Sequence, residues 1–462
     1  MFIGRTQELE SLNKRYNSGR FECAVVLGRR RVGKTELINE FIKGKKSIFF
    51  TAVEGSPQKN VELLSKAIFS GLDEKMRLSA PVFEDFAASL DYIYEKAQSE
   101  KIVFIIDEYP YLASSDRSVS SILQQYIDHK FQRIDFMLIL CGSSMSFMEN
   151  QVMGYKSPLY GRRTCQYRIS PFDFKTGRHF HNGFSIEDQA VIYGTTGGIP
   201  KYLLQIEEEK SLRENIIDNF FSSDSLLFEE PTNLLKQELR EPSVYNGIIT
   251  AIASGSSKLN EIATKSHMST SSCSVYLNTL LSLDIIKKER PILAKPNSRN
   301  TIYRLKDGMF RFWYRFVFDN IPEINSRQGN ALFEEIEQHI PDFMGEVFEE
   351  ICIQFLWRQN ITDRLPIRFK ECGRWWGNNP IQKKQQEIDL LAYRDNSAIF
   401  AECKWKNEKS GVDMLEALIE KSEIFNFTNK FYVLFSKSGF TQELKKRAGE
   451  NIFLFELSEI CD

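Results

Sequence analysis

FECAVVLGRRRVGKTELINEFI, residues 21–42, decides how this chain is read. An apolar run, a glycine-bounded loop and an amphipathic stretch follow one another, which predicts a strand, a tight loop and a helix. The loop Gly28–Thr35 fits the spacing GxxxxGK[ST] in full. Gly28 and Gly33 let the backbone curl so that N–H groups face the β- and γ-phosphates of a nucleotide, and the helix N-terminus adds a partial positive charge. Lys34 is expected to neutralise phosphate charge and Thr35 to offer its hydroxyl to Mg²⁺. Arg31 and Glu36, in the loop and just after it, complete the expected nucleotide-contacting set.

Working outward, 462 residues exceed what one core holds and suggest two to four domains. Charged residues make up 26% and hydrophobic ones 42%, an ordinary globular balance. With a net charge of −2 there is no overall basic excess, so any nucleic-acid binding has to come from patches. The eight cysteines are scattered without a CxxC pair, as for reduced thiols inside a cell. No signal-peptide run and no stretch of eighteen uninterrupted apolar residues occurs, so the expectation is a cytoplasmic protein with no membrane segment.

Strands expected at about 22–27, 47–53, 101–106, 135–141 and 165–169 alternate with helical stretches, the rhythm of an α/β sheet covered on both faces. The third ends in Asp107-Glu108, a Walker B pattern: Asp107 would hold Mg²⁺ through water and Glu108 would polarise the attacking water. The fourth runs into Ser143-Ser144, either of which suits a γ-phosphate sensor. Arg162 and Arg163 precede the fifth strand; either is a candidate arginine finger, beside the plainer reading of a surface arginine. After a helix comes the structured turn Gly197-Gly198-Ile199-Pro200. With FIGR near the start, GRRRVGKT, the DE pair, the GSS strand tip and GGIPxY, residues 1–220 resemble the archaeal-type ATPases of the STAND group within the AAA+-like P-loop proteins. That resemblance implies ATP as the nucleotide, a sheet order 5-1-4-3-2, and base contact with nucleotide sensing at Gly198 and Pro200.

Residues 221–320 read as a linker and then three short helices and a hairpin, the pattern of a winged helix-turn-helix. A DNA-binding reading places Ser269, Thr270, Ser271, Ser272 and Tyr276 in a major groove and Lys295 and Arg299 on phosphate. The scarcity of Lys and Arg on that helix favours equally a packing or lever module. Asp307–Asp319, DGMFRFWYRFVFD, reads as a buried interdomain helix.

Residues 321–462 contain a helix over 341–357, a hairpin with Glu387 and Asp389 on one strand and Glu402 and Lys404 on the next, then a helix and a strand. Two acids with a lysine on one sheet suit Mg²⁺ or Mn²⁺ and an activated water. The D…ExK pattern resembles the PD-(D/E)xK nuclease superfamily. Carried over, Asp389 and Glu402 are metal ligands, Lys404 is the catalytic lysine, and Glu349 or Glu346 is the helix acid; Ile388 stands where the family has proline. Lys370, Arg374, Trp375, Trp376, Lys383 and Lys384 read as a basic and aromatic loop before the strand, suited to a DNA backbone or to domain packing. The expectation is an α/β multidomain protein in which an ATP-driven switch controls a metal-dependent nuclease acting on DNA, with homo-oligomers and an unidentified protein trigger in view. The alternative is a regulatory or DNA-binding protein whose nuclease fold is an inactive docking module.

Overall fold

The structure is a computed structural model describing residues 2–73, 81–295, 298, 300–362, 364–380 and 383–461. Two compact units emerge, Met1–Pro171 and Phe172–Asp462.

In the first unit the strands β1 (Glu22–Leu27), β2 (Ser47–Thr51), β3 (Ile102–Asp107), β4 (Phe136–Gly142) and β5 (Cys165–Arg168) form one parallel sheet in the order β2-β3-β4-β1-β5. This is the expected 5-1-4-3-2 order, counted from the other edge. Every residue of β1, β3 and β4 is buried, because a parallel sheet is covered by helices on both faces. Alternate residues serve two separate cores: Val25, Phe104 and Leu138 pack on one face, Val26, Ile105 and Ile139 on the other. The helix Lys34–Ile42 inserts Leu37, Ile38 and Phe41 into the second of these cores, which fixes the loop before it.

The second unit begins earlier than the sequence boundary at 220, because residues from Phe172 onward pack with the C-terminal half. The helix Ile186–Thr196 lies against Ile340–Ile361 so closely that a Cβ on Gly194 would stand 2.9 Å from the Val347 side chain. Tyr193 and the Phe174 N–H share Gln354 of that helix, which donates its amide to the tyrosine hydroxyl at 2.8 Å and accepts the N–H at 2.9 Å. Helices Pro242–Ala253, Leu259–Lys265 and Thr270–Ser282 precede the antiparallel hairpin β6 (Ile286–Glu289) and β7 (Ile302–Leu305). The aromatic segment forms the helix Gly308–Phe316, its Phe310, Phe312 and Trp313 buried as expected.

Beyond the helix Ile340–Ile361 a second sheet runs β12-β11-β10-β9-β8, from β8 (Glu371–Asn379), β9 (Lys384–Arg394), β10 (Ser397–Lys404), β11 (Asn429–Ser436) and β12 (Ile452–Glu456). β8, β9 and β10 are antiparallel, whereas β11 joins β10 in parallel after the helix Val412–Ser422. One expectation is corrected here. Residues 371–379 are an edge strand, not a loop, so Arg374, Trp375 and Trp376 are presented by β-structure. Half-buried along most of its length, this strand lacks the apolar alternation that would announce it.

The pairing of β8 with β9 breaks the two-residue period. Gly373 pairs with Leu391 and Trp375 with Ile388, so β9 spends one residue more than β8 across this step. The extra residue sits at Asp389-Leu390. Accordingly Ile388 and Leu391 face one core while Leu390 and Ala392 face another, which strict alternation forbids.

Candidate nucleotide and carboxylate–lysine sites

The loop Gly28–Thr35 is shaped by two requirements. A Cβ on Gly28 would stand 2.3 Å from the Ile169 carbonyl oxygen, so only glycine fits between the loop and the end of β5. Gly33 at φ 88° and Arg31 at φ 72° then turn the chain through left-handed conformations into the helix. Lys34 is buried and donates to the carbonyls of Gly28 and Arg29 at 2.8 and 3.0 Å; burial pulls its pKa down. Thr35 donates its hydroxyl to Asp107 at 3.1 Å, bringing together two hard oxygen donors of the kind Mg²⁺ takes. Glu36 is exposed in the first turn of the helix.

Glu108 follows at φ 51° with its carboxylate turned to Ser143, which donates from its N–H at 3.3 Å and its hydroxyl at 2.9 Å. Of the two serines, Ser143 is therefore the one that touches the acid. Arg162 is used locally: it forks onto Asp128 at 2.9 and 2.7 Å and also donates to the carbonyls of Pro158 and Tyr160. Arg163 donates to the Met153 carbonyl at 3.3 Å. Two contributors escaped sequence reading. Arg5 donates to the carbonyls of Val32 and Ser170, tying the N-terminal segment to the loop, and Tyr111 accepts from Arg30 at 2.8 Å. Arg5 closes the FIGR motif, but its contacts, like that of Tyr111, run across the unit and are not announced by local spacing.

Gly198 and Pro200 belong to the second unit. Gly197 and Gly198 adopt φ 63° and 68°, and a Cβ on Gly198 would meet the Phe172 carbonyl at 2.2 Å. Pro200 opens the short helix Pro200–Leu203, where its missing N–H costs nothing.

The second site gathers Glu349 from the helix Ile340–Ile361, Asp389 from β9, and Glu402 and Lys404 from β10. Asp389 accepts the Cys403 N–H at 2.8 Å. Glu402 is buried and accepts from Lys404 at 2.7 Å and from Lys421, on the helix Val412–Ser422, at 2.9 Å. Burial and the neighbouring Glu402 charge raise the Asp389 carboxyl to about 6. Burial and the Asp389 charge raise Glu349 to about 8. Lys404 is raised as well: burial pulls it down, but the Glu402 carboxylate outweighs this. Lys421 has no place in the D…ExK pattern and could be reached only through the tertiary fold.

The acid left open on the helix separates cleanly. Glu346 turns to Arg304 and to Arg311, the latter at 3.2 Å, whereas Glu349 senses Asp389 and pairs with Arg374 at 3.3 Å. Arg374 also binds Glu387, so it serves the acids rather than standing free for a DNA backbone. Among the described residues no group of three or more His, Cys, Asp or Glu side chains is arranged to hold a metal ion. Asp389 and Glu402 form a pair, and Glu349 is turned toward Arg374. A half-buried and a buried carboxylate on adjacent strands offer hard oxygen donors of the kind a divalent cation takes.

On the helix Thr270–Ser282, Ser269 to Ser272 are exposed, but Tyr276 packs edge-on against Tyr245 and donates to Glu241 at 2.9 Å. Lys295 is exposed; Arg299 lies outside the described residues. No helix among the described residues is long and apolar enough to cross a membrane.

Residues 2–206 match an ATPase domain predominantly from Archaea, so the chain carries a P-loop ATPase domain of that class. Residues 313–415, which span Glu349 to Lys404, match a family of archaeal and bacterial proteins of unknown function. Over 466 aligned positions the chain is 32% identical to the uncharacterized protein MJECL04 of Methanocaldococcus jannaschii, covering 99% of this chain and all of that one. It belongs to that protein's family. The uncharacterized ATP-binding protein MJ0423 of the same organism is 46% identical over 46 residues, 10% of this chain and 78% of that protein. Among solved structures, the Walker-type ATPase PABY2304 of Pyrococcus abyssi superposes with a TM-score of 0.53 at 18% identity, covering 68% of this chain and 96% of that chain, a likeness of fold.

Proposed function

We propose that this chain is an ATP-hydrolysing switch of the STAND type whose C-terminal half is a Mg²⁺- or Mn²⁺-dependent nuclease of the PD-(D/E)xK kind acting on DNA. The observation that carries the reading is the meeting of Asp389, Glu402 and Lys404 on two adjacent strands, with Glu349 on the helix near enough to feel the Asp389 charge, within the order helix, three antiparallel strands, helix, parallel strand. A divalent cation there supplies charge for a bound water and for the leaving oxygen. Asp389 and Glu402 would hold it, Lys404 would orient the water or phosphate, and Glu349 would complete the acid set. In the first unit Lys34 and the loop N–H groups would bind phosphate, Thr35 and Asp107 would hold Mg²⁺, and Glu108, kept by Ser143, would direct the hydrolytic water. The helices Pro242–Ala253, Leu259–Lys265 and Thr270–Ser282 with the hairpin β6–β7 would then be a winged helix-turn-helix.

The test is plasmid cleavage by purified full-length protein with Mg²⁺ or Mn²⁺, with ATP, ADP or no nucleotide, beside Asp389→Ala and Lys404→Ala. Cleavage that needs metal and both side chains is expected; equal background in all three proteins would sink the nuclease. A second reading, an inactive docking module, is favoured by one observation: Glu402 already holds two lysines. It predicts ATPase activity sensitive to Lys34→Ala and no cleavage under any condition.

A further inference from the structure

The hairpin β6–β7 does not project freely. The Ile292 N–H donates to the Arg374 carbonyl of the edge strand β8 at 2.9 Å, and the Ile292 side chain is buried with Ile388 and Leu391 of the second sheet. The Trp376 indole reaches Asn300 at 3.3 Å. On the inner side Arg304 of β7 pairs with Glu346, and Lys287 of β6, held by Glu289 at 2.7 Å, reaches Glu350 at 3.6 Å; Arg311 of the neighbouring helix Gly308–Phe316 meets the same two helix acids, Glu346 and Glu350, at 3.2 and 2.9 Å. Both helix acids lie within one turn of Glu349 on the same helix. Between hairpin and helix remains a cavity of about 250 Å³ into which Glu349, Arg374 and Trp376 face with Arg304. It falls below the roughly 300 Å³ at which pockets for small ligands begin, so nothing of duplex size reaches Glu349 from this side while the hairpin stays.

Two features distinguish this contact from a permanent core. The hairpin meets the helix through the ion pairs of Lys287 and Arg304 beside a void and meets the sheet through Ile292 as its apolar anchor, the polar character of interfaces that open. Next to the anchor, Leu293 is 41% exposed at φ 72°, a strained conformation for a leucine of the sort found in switch segments.

We propose that the β6–β7 hairpin is an autoinhibitory latch: docked on β8 and paired to the acids of the helix Ile340–Ile361, it closes the Glu349–Arg374 face of the carboxylate–lysine site against DNA, and binding of duplex DNA there requires its release. This rests on the nuclease reading of that site. A Cβ on Gly373 would stand 3.9 Å from the Ile292 Cβ, within the span a disulfide bridges. The experiment therefore uses full-length Ile292→Cys/Gly373→Cys in a Cys372→Ser background, oxidised and then reduced, with disulfide formation followed by mass. Binding of a short fluorescent duplex without metal, and plasmid cleavage with Mn²⁺, are measured on both forms, and Arg304→Ala is run beside them.

The locked form is expected to bind about tenfold more weakly or worse, in the range of ordinary coupling between sites, with recovery on reduction and stronger binding by Arg304→Ala. Equal binding by locked and reduced forms overturns the latch, whether or not any form cleaves. Absence of cleavage by every form, with binding still dependent on the lock, overturns the nuclease and leaves the latch standing.

Discussion

Replacing Glu349 by glutamine should stabilise the second unit at neutral pH and do nothing for it in acid. Burial and the Asp389 charge raise the folded-state Glu349 carboxyl to about 8, against the pull of the Arg374 guanidinium 3.3 Å away, whereas an ordinary glutamate releases its proton near 4.5. Between those values the folded state binds more protons than the unfolded one, so stability falls as pH rises, by about 1.4 kcal/mol per pH unit. By pH 7 the wild type has lost up to about 3 kcal/mol through this side chain, less whatever its ion pair with Arg374 returns, a loss the glutamine variant never incurs. Asp389, also raised, owes its position to burial and Glu402 and contributes alike to both proteins. All five tryptophans, Trp313, Trp357, Trp375, Trp376 and Trp405, lie in the second unit, so urea unfolding followed by tryptophan fluorescence reports on that unit. Glu349→Gln should exceed the wild type by about 2–3 kcal/mol at pH 7 and match it near pH 4.5. A variant no more stable at pH 7, or one with an equal advantage at both pH values, would refute the placement of Glu349 beside Asp389 in a buried site.

Gly28→Ala puts a methyl 2.3 Å from the Ile169 carbonyl, so the loop must move; nucleotide affinity, measured with a fluorescent ATP analogue, should be lost while tryptophan-reported unfolding is unchanged. Glu108→Gln should retain nucleotide binding and lose about 10²- to 10⁴-fold in hydrolysis, measured as phosphate release, with Ser143→Ala showing a smaller loss because it only positions the acid. Arg311→Met strips a buried partner from Glu346 and Glu350 and should cost the second unit about 3–5 kcal/mol in the same urea assay.

What could be read from the sequence was local. The Gly28–Thr35 loop is legible because glycine spacing, lysine and hydroxyl lie within eight residues, and Asp107-Glu108 because an apolar strand ends in them. The sheet order followed from resemblance and is observed. Illegible were the matters that depend on what lies across the fold. Ser143 rather than Ser144 is chosen by Glu108, and Lys421 joins Glu402 from a separate helix. The strand β8 was hidden because its residues are half-buried without alternation, and the extra residue at Asp389-Leu390 because a bulge breaks the period on which strand reading rests. The hairpin showed the same limit: its residues suggested a free wing, while Ile292 spends its burial on another domain's core.

The carboxylate–lysine site is expensive to keep. Glu349 is raised to about 8 even beside Arg374, Asp389 is pushed to about 6, and Glu402 sits buried between two lysines. Buried ion pairs are at best weak stabilisers compared with apolar residues of the same volume, so a module that only docks gains nothing from them. Perturbed acids gathered in one place are the usual mark of chemistry. The same electrostatics limit what Lys404 does there. Its pKa is raised because the Glu402 carboxylate outweighs burial, so near neutral pH it is an ammonium and accepts no proton. Its contribution in that state is charge and three N–H donors, which suits orienting a phosphate or a water. A base for that water has to come from elsewhere than Lys404, and in the nuclease reading Asp389 and Glu402 would be committed to the cation.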